Sequence, residues 1–288
     1  MSKILVTGAK GQLGREIKKL RNKFTQLYEF TDIEELDVTS KEALAAYLKT
    51  HPVDYIINCA AYTNVDQAES DPALAQVLNR DVIANFKQVL ELHTNTRLIH
   101  ISTDYIFKGD LIRPLKEDDP AGPLSVYGRT KLEGETVLKD HPRAIVIRTS
   151  WLYSVFGKNF VKSMINRMDQ HDDLQVVYDQ LGSPTYAEDL AMAIMQIISD
   201  IDAGKSEFVP GIFHYSNEGV CSWFDLAMEI CRMIKCKGKV NPIETSDYPQ
   251  AAARPVYSVL NKSRIKEVYG VEVPYWRDSL EKCIKNLL

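Results

Sequence analysis

The sequence predicts an α/β fold in which a doubly wound parallel sheet carries helices on both faces. Short β-rich runs alternate with helical patterns through residues 1–150. Several of these runs are nearly continuous Val, Ile and Leu, which is typical of strands buried on both faces. Because parallel strands joined through helices cross over with one hand, we expect the helices to cover both sides of the sheet.

The elements of this first half follow one another in a regular order. Runs of β-branched and aliphatic residues predict strands over residues 3–7, 27–31, 54–58, 97–102 and 144–149. Apolar residues at helical spacing predict helices over residues 14–22, 41–50, 73–93 and 127–139.

After Trp151 the alternation weakens. Helices are predicted over 160–168 and 189–201, strands over 174–177 and 211–215, and an irregular, proline-rich segment over 241–255. We therefore predict a first domain over residues 1–150 and a smaller domain over 151–288. Later segments could return to the main sheet.

Composition and charge narrow the class of protein. A net charge of -4 and isolated short basic clusters argue against a nucleic-acid-binding surface. No apolar run approaches the length of a membrane span, and Met1 is followed almost at once by a strand, so we expect a cytoplasmic protein without a membrane partner. The five cysteines form no C-x-x-C pair, so free thiols and no metal site are predicted.

A glycine loop follows the first predicted strand, with glycines spaced three residues apart. Glycine permits a tight turn and close approach of the backbone to a diphosphate, and the following helix presents N–H groups to phosphates. A turn without a ligand is the alternative, but the position between strand and helix favours a dinucleotide. The loop residues expected to contact it are Gly8, Lys10, Gly11, Gln12, Leu13 and Gly14.

Asp32, at the end of the second strand, bears on the choice between NADH and NADPH. Its carboxylate can accept hydrogen bonds from the adenine ribose and repel a 2′-phosphate, which favours NADH. Lys10 or Arg15 could instead receive a 2′-phosphate, so both cofactors stay open. Asp37 and Val38 could close over the adenine or form the segment that caps the next helix.

Three residues predict chemistry on a ketone. Thr103 follows the fourth strand, where active sites of parallel sheets lie, and Tyr127 and Lys131 stand one helical turn apart. Thr103 can hydrogen-bond a carbonyl, Tyr127 can donate a proton, and Lys131 can lower the pKa of the phenol and hold a ribose. A packed tyrosine and a surface lysine are the alternative. His100 and His214 are interpreted as core histidines.

Six segments carry a resemblance to the extended short-chain dehydrogenase/reductases, and within them to the dTDP-4-dehydrorhamnose reductase family. They are VTGAKGQLG at 6–14, NCAAYTNVD at 58–66, STDYIF at 102–107, VYGRTK at 126–131, RTSWLY at 148–153 and ARP at 253–255. The resemblance implies a Rossmann-type sheet and a smaller substrate-binding domain. It also implies reduction of the C4 ketone of dTDP-4-dehydro-β-L-rhamnose by NADH or NADPH, the last step of dTDP-L-rhamnose synthesis.

The resemblance further implies roles for residues that spacing alone does not reveal. It places Trp151 beside the deoxysugar and Arg254 near the nucleotide. Some relatives dimerise through glutamates bridged by Mg²⁺, and Glu188 and Asp189 put two acids together here. A structural Mg²⁺ therefore stays open, and so does the choice between a monomer and a homodimer. The remaining implied contacts are Ala60, Ala61, Tyr62 and Thr63 with the cofactor and Thr103, Asp104 and Tyr105 with the nucleotide sugar.

Two other functions fit the same motifs. A nucleotide-sugar epimerase or dehydratase of the superfamily keeps the tyrosine and lysine but recycles its cofactor. A non-catalytic subunit, similar to the regulatory subunit of methionine adenosyltransferase, would keep only the dinucleotide fold. The presence of Thr103, Tyr127 and Lys131 together favours the reductase.

Overall fold

The computed structural model describes residues 1–170 and 173–288. Within these ranges the strands are β1 (Lys3–Thr7), β2 (Leu27–Thr31), β3 (Tyr55–Asn58), β4 (Arg97–Thr103), β5 (Ala144–Thr149), β6 (Leu152–Tyr153), β7 (Leu174–Val177), β8 (Leu181–Gly182), β9 (Thr185–Tyr186), β10 (Gly211–His214), β11 (Cys221–Ser222) and β12 (Val240–Ile243). The helices are α1 (Gln12–Leu20), α2 (Lys41–Thr50), α3 (Val65–Ser70), α4 (Pro72–Gln76), α5 (Val82–Leu92), α6 (Val126–Leu138), α7 (Phe160–Asp169), α8 (Ala187–Asp202), α9 (Trp223–Ile234), α10 (Ser263–Tyr269) and α11 (Trp276–Leu287). None of these helices is long and apolar enough to cross a membrane.

The central sheet is parallel and has the strand order β10-β5-β4-β3-β1-β2. Side chains alternate between its two faces: Ile4 and Val6 pack with α1, α8 and α10, whereas Leu5 packs with α2, α5 and α6. Both faces are therefore covered, and the doubly wound fold is confirmed. The strand order switches between β1 and β3, and a ligand crevice is expected beyond the carboxyl ends of the strands at such a point.

The second half of the chain contributes to two layers. Strand β10 extends the main sheet beside β5, and α8 packs along α1. In contrast, α7, β7, α9 and α11 share a separate apolar cluster with the buried Trp276. Strand β10 and helix α8 follow residue 150 in the sequence but pack with the first half of the chain. The division into two domains at residue 150 stays a prediction.

Two of the predicted elements differ in the structure. The single helix predicted over 73–93 is α4 and α5 joined by a π-helical turn at Val77–Asp81, which holds the buried Asn79. The segment predicted to be irregular over 241–255 begins inside β12, which pairs with β7. Pro242 is tolerated there because β12 has a hydrogen-bonded neighbour on one side only.

The expectation of five free thiols is wrong for one pair. Cys231 and Cys236 form a disulfide, whereas Cys59, Cys221 and Cys283 are free. Lys235 has left-handed backbone at the end of α9, so the chain turns back and the two Cα atoms come within 4.9 Å.

Candidate active site

A cleft of about 520 Å³, named here the central cleft, opens where the strands end. Gln12 and Leu13 reach it after β1, Thr103 ends β4 beside it, and Trp151 borders it after β5. Tyr127 and Lys131 line it from α6. The structure thus brings the three predicted catalytic residues and much of the predicted cofactor loop to one cleft.

A second cavity of about 310 Å³, the β2-side cavity, continues the central cleft. The two share Gly11, Cys59 and Ala61. Together they form one groove that crosses the switch point between β1 and β3. The predicted cofactor residues that line the β2-side cavity are Gly8, Gly11, Asp32, Asp37, Val38, Ala60 and Ala61.

The glycine loop leaves room for a ligand at the start of α1. Gly8 has a φ of +65°, and a Cβ there would lie 2.6 Å from the Ala60 nitrogen. Gly14 is equally tight, because its Cβ would lie 2.6 Å from the Ala9 Cα. Helix α1 has no side-chain cap at Gly11, so the N–H groups of its first turn remain available. This donor set fits a dinucleotide diphosphate.

Asp32 is fixed to the loop by the backbone N–H of Lys10, which donates to its carboxylate at 2.9 Å. The Lys10 ammonium instead pairs with Glu34 at 2.5 Å, and Arg15 lies over the Phe156 ring. Both cations that could receive a 2′-phosphate therefore have partners. The capping role left open for Asp37 and Val38 belongs to Ser40, whose hydroxyl accepts from Ala43.

Lys131 is almost fully buried and is held in one place. Its ammonium donates to the Ile101 carbonyl at 2.6 Å and lies 3.4 Å from the His100 Nε2 atom. Burial lowers the pKa of Lys131 to about 8, and nearby Glu135 opposes this shift. His100 also contacts the Asn58 amide at 3.1 Å, so it is a satisfied core histidine that supports the lysine.

The expected lowering of the Tyr127 pKa does not occur. Burial raises the pKa of Tyr127 to about 12, the Thr103 hydroxyl opposes the shift, and the Asp104 charge adds to it. The Lys131 ammonium points to the Ile101 carbonyl. The four-residue spacing of Tyr127 and Lys131 therefore predicts the wrong direction for the Tyr127 pKa. At neutral pH the phenol is fully protonated, which is the form that can donate a proton.

Asp104 is a buried carboxyl group on the wall of the central cleft. Its Oδ1 atom accepts from Thr103 at 3.2 Å, whereas Oδ2 has no hydrogen-bond partner among the described residues. Burial raises the pKa of Asp104 to about 7, and the hydroxyls of Ser258 and Thr103 partly offset the shift. Thr103 also accepts from the Tyr105 backbone, which fixes its hydroxyl at the cleft.

Trp151 has a strained backbone and closely packed surroundings. Its φ of +47° lies in the left-handed region, which costs a residue other than glycine on the order of 1–3 kcal/mol. Its indole stacks on Trp223 with ring centroids 3.6 Å apart and planes 9° apart. On another side it contacts Gly182, where a Cβ would lie 2.5 Å from the indole.

A third cavity of about 320 Å³, the Arg254 cavity, adjoins the central cleft at Tyr105. Arg167 and Arg254 both line it. Arg254 pairs with Asp66 of α3 at 2.7 Å, across 188 residues of sequence, and this pairing lowers the pKa of Asp66. The two guanidinium groups suit an anionic nucleotide.

Some predicted contacts lie outside these cavities, and some lining residues had no signal in the sequence. Gly14 is buried in the turn, and the Lys10 side chain pairs with Glu34. Tyr62 lines none of the three cavities, and its backbone is held by the Asn79 amide at 2.9 and 3.2 Å. Asn79 could have been noticed as an amide inside an apolar helix, whereas no motif marks Phe160 or Trp223.

The structural Mg²⁺ left open by the sequence is not supported. Glu188 accepts from Lys19 at 2.6 Å and pairs with Lys282 at 2.9 Å, and Asp189 accepts from Asn217. Across residues 1–170 and 173–288, no group of three or more His, Cys, Asp or Glu side chains could hold a metal ion. The acidic pair is satisfied by the chain itself.

The fold and the groove define a Rossmann-type oxidoreductase. The family model of the RmlD substrate binding domain matches residues 2–288, and the chain belongs to this family. A probable dTDP-4,6-dihydroxy-2-methyloxan-3-one 4-ketoreductase of Streptomyces antibioticus is 39% identical over 99% of this chain and 95% of its own length. A dTDP-4-dehydrorhamnose reductase of Aggregatibacter actinomycetemcomitans is 37% identical over 100% and 98%. The dTDP-4-dehydrorhamnose reductase of Bacillus anthracis, solved in complex with NADP, is 35% identical with a TM-score of 0.93 over 99% of both chains.

Proposed function

We propose that this protein reduces the C4 ketone of dTDP-4-dehydro-β-L-rhamnose to dTDP-β-L-rhamnose with a nicotinamide cofactor, as the last step of dTDP-L-rhamnose synthesis. One observation carries the proposal. The β2-side cavity and the Arg254 cavity both adjoin the central cleft, which is lined by Thr103, Tyr127 and Lys131. Membership of the RmlD family and full-length relatives named for this reaction support it.

Different residues of the groove would bind different parts of the cofactor. The first turn of α1 would hold the diphosphate, Asp32 the adenine ribose, and Ala60 and Ala61 the passage between the two cavities. The bound nicotinamide supplies the hydride. A relative of known structure binds NADP, whereas Asp32 favours NADH, and the proposal includes both cofactors.

The residues of the central cleft complete the reduction. Negative charge grows on the ketone oxygen during the reaction, and hydroxyl groups already fixed near that oxygen stabilise the transition state more than the ground state. Thr103 would donate one hydrogen bond and Tyr127 would give its proton. Lys131, an ammonium below pH about 8, would stabilise the phenolate left behind and bind the nicotinamide ribose.

The second half of the chain would bind the nucleotide sugar. Arg254 and Arg167 would contact the diphosphate, since a guanidinium fork bonds two oxygens at once. Trp151, at the edge of the central cleft, would pack against the deoxysugar. Tyr105 borders both the central cleft and the Arg254 cavity, so it would contact the substrate between sugar and nucleotide.

The proposal is tested by cofactor oxidation with purified dTDP-4-dehydrorhamnose. We expect one NADH or NADPH to be consumed for each dTDP-rhamnose formed. Rearrangement of the sugar without net loss of cofactor would instead indicate an epimerase. No oxidation and no product, at any cofactor concentration, would contradict the proposed function.

A second substrate belongs in the same assay. The relative from Streptomyces antibioticus is named for a ketone of a different dTDP-linked deoxysugar and is 39% identical to this chain. A higher kcat/KM with dTDP-4,6-dihydroxy-2-methyloxan-3-one than with dTDP-4-dehydrorhamnose would favour that alternative, with the same residues at the ketone.

A further inference from the structure

An aromatic stack separates the two cavities that would share the substrate. Trp151 lines the central cleft and Trp223, the first residue of α9, lines the Arg254 cavity. Phe160 packs on Trp223 with ring centroids 4.7 Å apart. The wall between the cavities is therefore made by side chains whose positions depend on one another.

Trp151 needs outside support to keep its position. Its left-handed backbone is unfavourable for a residue with a Cβ, and its indole is only half-buried. The Trp223 ring covers one face of this indole almost in parallel, and Gly182 allows the indole to approach the backbone. Removal of the Trp223 ring would leave that face without a partner.

We propose that Trp223 is a positioning residue for the sugar nucleotide: it holds the Trp151 indole at the edge of the central cleft and forms the facing wall of the Arg254 cavity. The inference rests on the proposed function for the identity of the substrate. It assigns to α9 a role in binding the sugar nucleotide, because α9 begins at Trp223. The β2-side cavity contains neither ring of the stack.

The test compares Trp223→Leu with Trp223→Phe. Trp223→Leu keeps an apolar side chain but loses the stacked ring, so we expect KM for dTDP-4-dehydrorhamnose to rise about fivefold to tenfold, the scale of one aromatic pair. The Kd for NADPH, measured by cofactor fluorescence, should stay within about twofold because neither tryptophan lines the β2-side cavity. Trp223→Phe restores a ring and should recover most of the loss in KM.

Two further variants separate positioning from general loss of packing. Trp276→Phe reduces an indole in the same apolar cluster but lines none of the three cavities, so it should lower the melting temperature without changing KM. Gly182→Ala inserts a Cβ 2.5 Å from the Trp151 indole and should displace it without touching Trp223. It should therefore raise KM as Trp223→Leu does, and it decides the question if Trp223→Leu fails to fold.

Binding of dTDP alone, measured by calorimetry, keeps the inference separate from the proposed reaction. A wild type that oxidises neither NADH nor NADPH with dTDP-4-dehydrorhamnose overturns the proposed function, and weaker dTDP binding in Trp223→Leu would still support the inference. An unchanged KM and unchanged dTDP affinity in both Trp223→Leu and Gly182→Ala would overturn the inference. An equal rise of KM in Trp276→Phe would also overturn it, since packing alone would then explain the effect.

Discussion

The β2-side cavity is lined mainly by glycine, alanine and short or aliphatic side chains, whereas the Arg254 cavity is lined mainly by aromatic rings, glutamines and two arginines. In the groove, Gly8 and Ala60 approach so closely that no Cβ fits at residue 8. In the cavity, Arg254 depends on an ion pair with Asp66 across 188 residues. Local backbone geometry thus shapes the cofactor side, and distant tertiary contacts shape the substrate side.

This difference has a testable consequence. Backbone changes in the β2-side cavity should weaken cofactor binding, and side-chain changes in the Arg254 cavity should weaken binding of the sugar nucleotide. A change at Tyr127, in the central cleft where the two regions meet, should affect turnover and leave both binding steps nearly intact.

Tyr127→Phe should give the largest effect, at the junction of the two regions. Loss of the phenolic proton should lower kcat by roughly 100-fold or more, the usual scale of general-acid catalysis. The Kd for NADPH should be nearly unchanged. Steady-state assays and cofactor titration measure both. Tyr47→Phe removes a hydroxyl bonded to Glu29 outside the three cavities and serves as the control. Unchanged turnover in Tyr127→Phe would remove Tyr127 as the acid.

Arg254→Ala should break the substrate side alone. A charge-assisted hydrogen bond is worth about 1.5–3 kcal/mol, so KM for dTDP-4-dehydrorhamnose should rise about tenfold to 100-fold. The matched control is Arg113→Ala, which removes a half-exposed arginine paired with Asp119 away from the cavities. A larger effect on NADPH binding than on KM would contradict the division between the regions.

Gly8→Ala should break the cofactor side. Its Cβ would meet the Ala60 backbone, which cannot move as a side-chain end can, so we expect the Kd for NADPH to rise at least about tenfold. Gly204→Ala is matched in backbone, with a φ of +69°, but has open space around it. It should lower stability by only about 1–2 kcal/mol and leave cofactor affinity unchanged. Similar Kd values in the two variants would refute the steric argument.

The pH dependence tests the buried Lys131. Because its folded pKa is about 8, below its ordinary value, the ammonium is present below that pH and lost as pH rises through it. We expect kcat/KM to fall above pH about 8, and we expect Lys131→Arg, which stays charged, to lack this decline. In stability the sign is opposite: the fold disfavours the charged lysine, so its contribution to the free energy of unfolding rises with pH above about 8. A wild-type profile of kcat/KM that stays flat to about pH 9.5, which is below the ordinary lysine pKa, would contradict the role of the ammonium.

Asp32→Ser should give the smallest effect, and it tests which residue sets the preference between NADH and NADPH. Removing the carboxylate should raise the ratio of kcat/KM for NADPH to that for NADH by about threefold to tenfold, since a 2′-phosphate would no longer face a negative charge. Asp37→Ser in the same cavity is the control, because Asp37 accepts from Thr39 within its own turn. An unchanged ratio would remove Asp32 from cofactor selection.

The sequence predicted what local patterns determine. The glycine loop could be placed because strand, turn and helix are consecutive, and Thr103 because it directly follows an apolar strand. Trp223 could not be found, since its role depends on stacking with a residue 72 positions earlier in the sequence, as the residue numbers show. The direction of the Tyr127 pKa also escaped, because a four-residue spacing gives proximity but neither burial nor the direction of the Lys131 ammonium.

The resemblance located Arg254, but the ion pair that holds it became visible only in the structure. Asp66 and Arg254 are remote in sequence, and nothing in either segment indicates the other. The π-helical turn at Asn79 was missed for a similar reason. Its amide is satisfied by the Tyr62 backbone and by Thr130, which only the folded chain brings together.

The most direct test of the two-sided groove is a crystal structure of the protein with NADP⁺ and dTDP. We expect the dinucleotide to cross from the β2-side cavity to the central cleft, with its diphosphate at the first turn of α1, and dTDP to lie beside Arg254. The nicotinamide should then lie next to Tyr127. Binding of dTDP in the β2-side cavity, or of the nicotinamide away from Tyr127, would contradict the assignment of cofactor and substrate to the two regions.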